Sequence, residues 1–383
     1  MEGRRLAVAW TSPAGLLGLR VYVLGSGAPV LLTTVVDDGD LDAWCTLGPD
    51  TLLCAWNRAG TSHLELRDVN SQRSTALPRP DDVVLQLEGS SRAGVVAHAG
   101  GPQAPSACWL LDWPTRSWRR LSSDDRDRSA RVGSAPRRIE LRADDGLHLD
   151  AWWYEGKGWR TGEPAIVAFH GGPEDEARPL FNPTFQALQL GGFSVLAPNV
   201  RGSSGRGRSF AALDDLYGRA ESFRDIRACV EWLRDKGVGS VGAFGVSYGA
   251  FLALHAAADH GVGSVALLSG IMDLETFLEE CSPSMAWRSR NEYGVLPQDR
   301  EFLRSLSPIP AVMEREVDVL LVHGLRDTNV PPSQSEQLAS LLRRGGSVCE
   351  LLLFEDEGHG IHGAENQVLF NSRVLRWFEE TLR

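Results

Sequence analysis

Residues 242–251 read "GAFGVSYGAF" and set Ser247 between Gly245 and Gly249. In a chain of 383 residues with 40 glycines, chance alone can supply a Gly-x-Ser-x-Gly pattern, so its surroundings have to decide what it means. Before it runs the apolar, strand-like "SVGAF". After it comes "YGAFLALHAAADHG", a helical pattern closed by a glycine. A strand that turns sharply into a helix at a serine is the setting of a nucleophile elbow. The glycines then have a steric task, because a side chain at 245 or 249 would collide with backbone at so tight a turn. The helix N-terminus also favours negative charge close to the serine.

Outward from this stretch the same grammar repeats. "PAIVAF", "FSVLAPNV", "SVALLSG", "VDVLLVHG" and "CELLLFE" are short, nearly continuous apolar runs, as in strands buried on both faces. Between and after them lie the helical patterns "AESFRDIRACVEWLRDKG", "SQSEQLASLLRRGG" and "NQVLFNSRVLRWFEETLR", with Gly237 and Gly345 at C-cap positions. Alternating strand and helix predicts an α/β fold, a mainly parallel sheet with helices on both faces. A hairpin with Asp145-Gly146 at its turn leads into it. Residues 271–316 break the alternation and read as a helical excursion; its Phe277, Trp287 and Tyr293 are either pocket wall or core.

Residues 1–125 differ. Short β-rich runs alternate with Gly, Asp, Asn and Pro, as in an all-β module. A weak repeat near 40 residues matches four-stranded propeller blades, with room for about three; a plain antiparallel sheet is the alternative. This predicts a smaller, truncated, partial-propeller-like domain over 1–125, a charged and Ser-rich linker over 126–137, and an α/β domain over 138–383.

A serine needs a base. Downstream, "VDVLLVHGLRDTNVP" offers Asp327 after one strand and "CELLLFEDEGHGIHG" offers His359 after the next. This is the order Ser, Asp, His, with each residue at the carboxyl end of a strand. His362 is the alternative base, Asp356 and Glu357 compete as the acid, and His323 has a supporting place at its strand end. For the oxyanion, the backbone N–H of Tyr248 is one expected donor, and Gly171 and Gly172 of "AFHGGP" offer the other. Arg201 either lines the cleft or forms a structural ion pair. "GVGSVG" at 237–242 follows a helix and enters a strand, the reverse of a dinucleotide-binding loop. With no H-E-x-x-H and no other ligand spacing, neither metal nor cofactor is expected.

In combination, "AFHGGP", "LAPNVRGSSGRGRSF", "GVSYGAF", "VDVLLVHGLRDTNVPPSQSEQL" and "FEDEGHG" resemble the catalytic domain of the prolyl oligopeptidase family of serine peptidases, nearest its acylaminoacyl-peptidase and dipeptidyl-aminopeptidase branch. The resemblance covers about residues 136–383. It implies an α/β-hydrolase fold and a Ser247–His359–Asp327 triad acting on short peptides or small acyl compounds through an acyl-enzyme. The β-rich leader is under half the length of the family's closed propeller, and Ala250 stands where the family has a glycine. Both departures keep open an esterase, a thioesterase or an acyltransferase, and more remotely a catalytically dead binding protein.

Composition narrows the partners. A formal charge of −11 disfavours nucleic acid and anionic membrane surfaces. No stretch has the length of a spanning helix, and the start of the chain reads as no signal peptide. Six scattered cysteines without a C-x-x-C pair predict reduced, mostly buried thiols and a cytoplasmic location. Open edges of a partial propeller predict pairing with another chain, hence a homo-oligomer.

Overall fold

A computed structural model describes residues 4–89, 94–121 and 133–383. They form two compact units, one from residues 1–135 with 178–182 and 204–211, the other from the remainder.

The first unit is built of antiparallel sheets. β1 (Arg4–Thr11), β2 (Leu17–Leu24) and β3 (Val30–Val35) form a three-stranded sheet. β4 (Asp40–Thr46), β5 (Thr51–Arg58), β6 (Thr61–Asp68) and β7 (Ser74–Leu77) form a four-stranded meander. β8 (Val83–Gly89), β9 (Val95–Gly101), β10 (Ala104–Asp112) and β11 (Ser117–Arg120) form another. The two meanders match the expected repeat, while the first sheet has one strand fewer. Strand periodicity explains how they stack. In β5, Leu53 and Ala55 join a core with Val84, Leu87, Val95 and Ala97 of the third sheet. Alternate residues Leu52, Cys54 and Trp56 join a core with Leu19, Val21 and Val35 of the first. The β5–β6 hairpin turns at Ala59 and Gly60, both with positive φ (52° and 85°), as a two-residue primed turn requires.

The second unit carries an eight-stranded sheet. It begins with the hairpin of β12 (Arg137–Arg142) and β13 (His148–Tyr154), whose turn includes Gly146 at φ 89°. Then come β14 (Ala165–Phe169), α1 (Pro183–Leu190) and β15 (Ser194–Asn199), with α2 (Arg208–Ala211) in the first unit. The chain continues through α3 (Ser222–Asp235), β16 (Val241–Val246), α4 (Tyr248–His260) and β17 (Ser264–Leu268). The expected excursion is four short helices: α5 (Leu274–Glu280), α6 (Pro283–Ser289), α7 (Arg300–Ser305) and α8 (Ile309–Met313). β18 (Asp318–Gly324), α9 (Ser333–Gly345), β19 (Cys349–Phe354) and α10 (Ala364–Leu382) complete it. The strand order is β12-β13-β15-β14-β16-β17-β18-β19, antiparallel through β15 and parallel from there on.

Alternation again sets the layers. Ile166, Ala168, Val195, Ala197, Phe244, Leu320 and Val322 bury one sheet face under α1 and α10, against Leu188, Val374, Trp377 and Phe378. Each fully buried Val, Leu, Ile or Phe side chain among them contributes about 1.5–3 kcal/mol of transfer free energy. α4 packs against β14, β16 and β17 and is buried over nearly its whole length, Tyr248 to Ala258. Its apolar-all-round sequence follows from that position.

Two expectations need correction. The αL residue that closes α9 is Gly346 (φ 83°), and Gly345 is the last helical residue. Only Cys45, Cys54 and Cys229 are buried; Cys281 and Cys349 are half-buried and Cys108 is exposed. Cys349 opens β19, an edge strand with one neighbour, which is why it is not enclosed. Most of the linker expected over 126–137 lies outside the described residues. Among the described residues no helix is long and apolar enough to cross a membrane.

Candidate active site

The elbow is set by backbone geometry. Ser247 adopts φ 54° and ψ −120°, a conformation that costs a non-glycine residue about 1–3 kcal/mol. Hydrogen bonds hold it there: the Ser247 N–H donates to the Leu268 carbonyl (2.9 Å), and the Ser247 carbonyl accepts from Ile271 (3.1 Å) and Ala250 (3.1 Å). A Cβ on Gly245 would press on the Gly249 carbonyl, and one on Gly249 would press on the carbonyls of Phe169 and His170. Both glycines are therefore required by contact, as the sequence predicts.

The expected triad residues converge. Ser247 Oγ lies 3.0 Å from His359 Nε2, and His359 Nδ1 lies 2.8 Å from Asp327 Oδ2, across 112 and 32 residues of sequence. The His359 side chain is 30% exposed while that of Asp327 is fully buried. An accessible base oriented by a buried, ionised acid is the arrangement general-base catalysis by a triad needs. Burial works against the Asp327 charge, but His323, His359 and the Val330 amide all favour it, and the carboxyl is held well below its usual range. Oδ1 accepts from the amides of Asn329 (2.8 Å) and Val330 (3.0 Å). His323 stands behind the acid: its Nε2 lies 3.2 Å from Asp327 Oδ2 and 3.0 Å from the Val330 carbonyl, and its Nδ1 lies 2.8 Å from Ser335 Oγ.

The competing residues are engaged elsewhere. Glu357 accepts from the amides of His362 (2.9 Å) and Gly363 (2.8 Å) and from Asn366 (2.7 Å), and Asp356 accepts from Asn366 (3.1 Å). Both thus secure the start of α10, and His362 is part of that turn. Arg201 is buried, with Nη2 donating to Asp225 (2.7 Å) and Asp145 (2.9 Å), a structural pair. Of the excursion's aromatics, Phe277 and Tyr293 are core and Trp287 is 65% exposed.

For the oxyanion, Tyr248 is the first residue of α4, where amides have no carbonyl partner inside the helix. Gly171 runs against the serine: a Cβ there would meet Ser247 Cβ at 3.3 Å and Oγ at 4.0 Å. Gly172 turns the loop back at φ 117°, against the amides of Glu174 and Asp175. Sequence reasoning missed the brace on this loop. The His170 ring spans the Gly171 carbonyl (2.7 Å) and Ser203 Oγ (2.9 Å), and burial lowers its pKa, favouring the neutral ring. No local signal in the sequence links positions 170 and 203.

Comparison with known proteins identifies the family. The model of the prolyl oligopeptidase family matches residues 179–383, more than half of the chain. The acylamino-acid-releasing enzyme 2 of Oryza sativa subsp. japonica is 26% identical over 237 residues, 57% of this chain and 30% of that protein. The dipeptidyl-peptidase 5 of Porphyromonas endodontalis is 25% identical over 323 residues, 79% of this chain and 45% of that protein. Among solved structures, a Mycobacterium tuberculosis puromycin-hydrolyzing peptidase superposes with a TM-score of 0.84 at 23% identity, over 99% of this chain and 61% of that one. The chain thus spans less than half the length of these two relatives. With a matching family model, a shared fold and a strand–serine–helix elbow in place, this chain belongs to the prolyl oligopeptidase family.

Proposed function

We propose that the chain is a serine hydrolase acting on short peptides or small acyl compounds through an acyl-enzyme. The single observation that carries this is the relay from Ser247 Oγ to His359 (3.0 Å) and on to Asp327 (2.8 Å). In this reading His359 Nε2 takes the Ser247 proton as Oγ bonds to the substrate carbonyl carbon. The displaced electron pair rests on the carbonyl oxygen, facing the Tyr248 amide and an amide of the Gly171-Gly172 loop. Collapse breaks the bond to the leaving group, which leaves with the proton from His359. Water then attacks the acyl-enzyme by the same route and frees the acid. Asp327 holds the imidazole in the tautomer that keeps Nε2 free to accept, and stabilises the imidazolium.

The relatives named for acylamino-acid release and dipeptide release favour an N-acylated or free aminoacyl substrate. Six free cysteines favour a reducing, cytoplasmic setting. A fluorophosphonate probe is expected to label the wild-type chain at Ser247 and to leave Ser247→Ala unlabelled. Equal labelling of both, or of neither, overturns the reading. Aminoacyl and N-acylaminoacyl p-nitroanilides set against p-nitrophenyl esters decide the substrate; turnover of the esters alone replaces peptidase with esterase.

A further inference from the structure

A group of buried charges outside the triad gathers under the first turn of α4. Arg219 is 1% exposed. Its guanidinium lies between two rings, 4.7 Å from the centroid of Tyr248 and 4.8 Å from that of Tyr293. Nη1 pairs with Asp214 Oδ2, and Nη2 donates to the carboxylate (3.0 Å) and the carbonyl (2.9 Å) of Glu292. Asp214 Oδ2 also accepts from the Tyr248 hydroxyl at 3.3 Å. The Asp214 carboxylate rests on Gly202 (φ 93°), where any Cβ would collide with it. Asp214, Asp215 and Glu292 bring three carboxylates close together, and the guanidinium of Arg219 pairs with two of them.

A buried ion pair is weak evidence of stabilisation, since apolar replacements of similar volume are often as stable. What this one touches is more informative. Tyr248 directly follows the strained Ser247, and its ring is held at the hydroxyl by Asp214 and on one face by Arg219. With the ring held at two points, the Tyr248 Cα is fixed and the amide leading into it has little freedom to tilt. We propose that Arg219 and Asp214 are positioning residues for hydrolysis: through the Tyr248 side chain they aim the Tyr248 amide at the developing oxyanion. This rests on the hydrolase reading above. An oxyanion donor matters most in the transition state, so a loss of aim appears in kcat more than in KM.

The test compares Arg219→Met, Arg219→Lys and Tyr248→Phe with wild type in the full chain. Fluorophosphonate titration first counts active sites, so that kcat is expressed per site on a p-nitrophenyl ester. Inhibition by a phenylboronate, which forms a tetrahedral adduct on the serine, reports the oxyanion hole separately. Arg219→Met is expected to lower kcat per site by about 10- to 100-fold, with KM within about threefold and boronate affinity falling in parallel. Arg219→Lys, which keeps the charge, recovers part of the loss. Tyr248→Phe, which removes the hydroxyl that Asp214 accepts from, lowers kcat per site by about 3- to 10-fold. A merely structural role gives fewer titratable sites, each turning over at the wild-type rate with wild-type boronate affinity, and overturns the proposal. Should Arg219→Met fail to fold, Tyr248→Phe decides alone. A wild type that takes no label overturns the hydrolase reading and this proposal with it; a labelled wild type with unchanged variants overturns only this proposal.

Discussion

A methyl group at position 249 has nowhere to go, because its carbon would lie well inside 3.0 Å of the carbonyl oxygens of Phe169 and His170. Those oxygens belong to the end of β14 and to the loop that carries Gly171, so they cannot move without moving the oxyanion loop. Gly249→Ala is expected to cost about 3 kcal/mol or more in stability, at the upper end for overpacking. It should also slow fluorophosphonate labelling at least tenfold. Thermal melts and labelling rates on the same preparation check both. The glycine pattern was legible in the sequence because the constraint is local: a strand, a tight turn and a helix within ten residues. The strain at Ser247 is also local, but its retention depends on the Leu268 carbonyl from a neighbouring strand.

At the scale of elements, the loops after β18 and β19 bring the acid and the base to the serine. The β18 loop folds back so that Asp327 accepts from two of its own amides, from His359 and from His323. The folded carboxyl is thereby held below its unfolded value. Its stabilising contribution is fully present above about pH 4, and is lost as pH falls through the folded value. Asp327→Asn keeps the shape but favours the wrong imidazole tautomer. The expected result is a fall in kcat on the order of 10⁴-fold and about 2 kcal/mol less stability at pH 7. The stability gap between the two proteins should narrow as pH drops below 4, which urea titrations at pH 7 and pH 3 would read. The order of these elements was legible from apolar runs and glycines. The contacts of His323 were not, because they depend on where Ser335 and Val330 arrive after the chain has turned.

For the whole molecule, the buried acids beside Arg219 act on stability in the opposite direction. Burial pushes the Glu292 carboxyl up to about 7 and that of Asp214 up to about 6, in both cases against the pull of Arg219. An acid with a raised folded pKa binds its proton more tightly folded than unfolded. Its favourable contribution is present below its unfolded value and is lost as pH rises through the folded one. Between pH 5 and pH 8 these two groups therefore lower stability, while Asp327 no longer changes it. Glu292→Gln is expected to flatten this dependence, gaining about 1 kcal/mol over wild type at pH 8 relative to the same comparison at pH 5. Parallel denaturant titrations at the two pH values check the sign; a larger relative gain at pH 5 refutes it. The α/β alternation and the meanders of the first unit were readable as periodicity, and the helical excursion as a break in that alternation. The charged cluster around Arg219 was not, since positions 214, 219, 248 and 292 follow no pattern along the chain.

The sequence by itself determined what depends on neighbours along the chain: periods of two and 3.6, the steric need for glycine at 245 and 249, and the order of serine, acid and base. Tertiary structure decided what depends on distance. It set His359 rather than His362 against Ser247, and Asp327 rather than Asp356 or Glu357 against His359. It also made Arg201 a structural cation and placed Arg219 beneath Tyr248. The physical reason is range. Backbone sterics and hydrophobic periodicity act over a few residues and leave their mark in sequence, whereas hydrogen bonds and ion pairs between distant loops exist only once the sheet has aligned them.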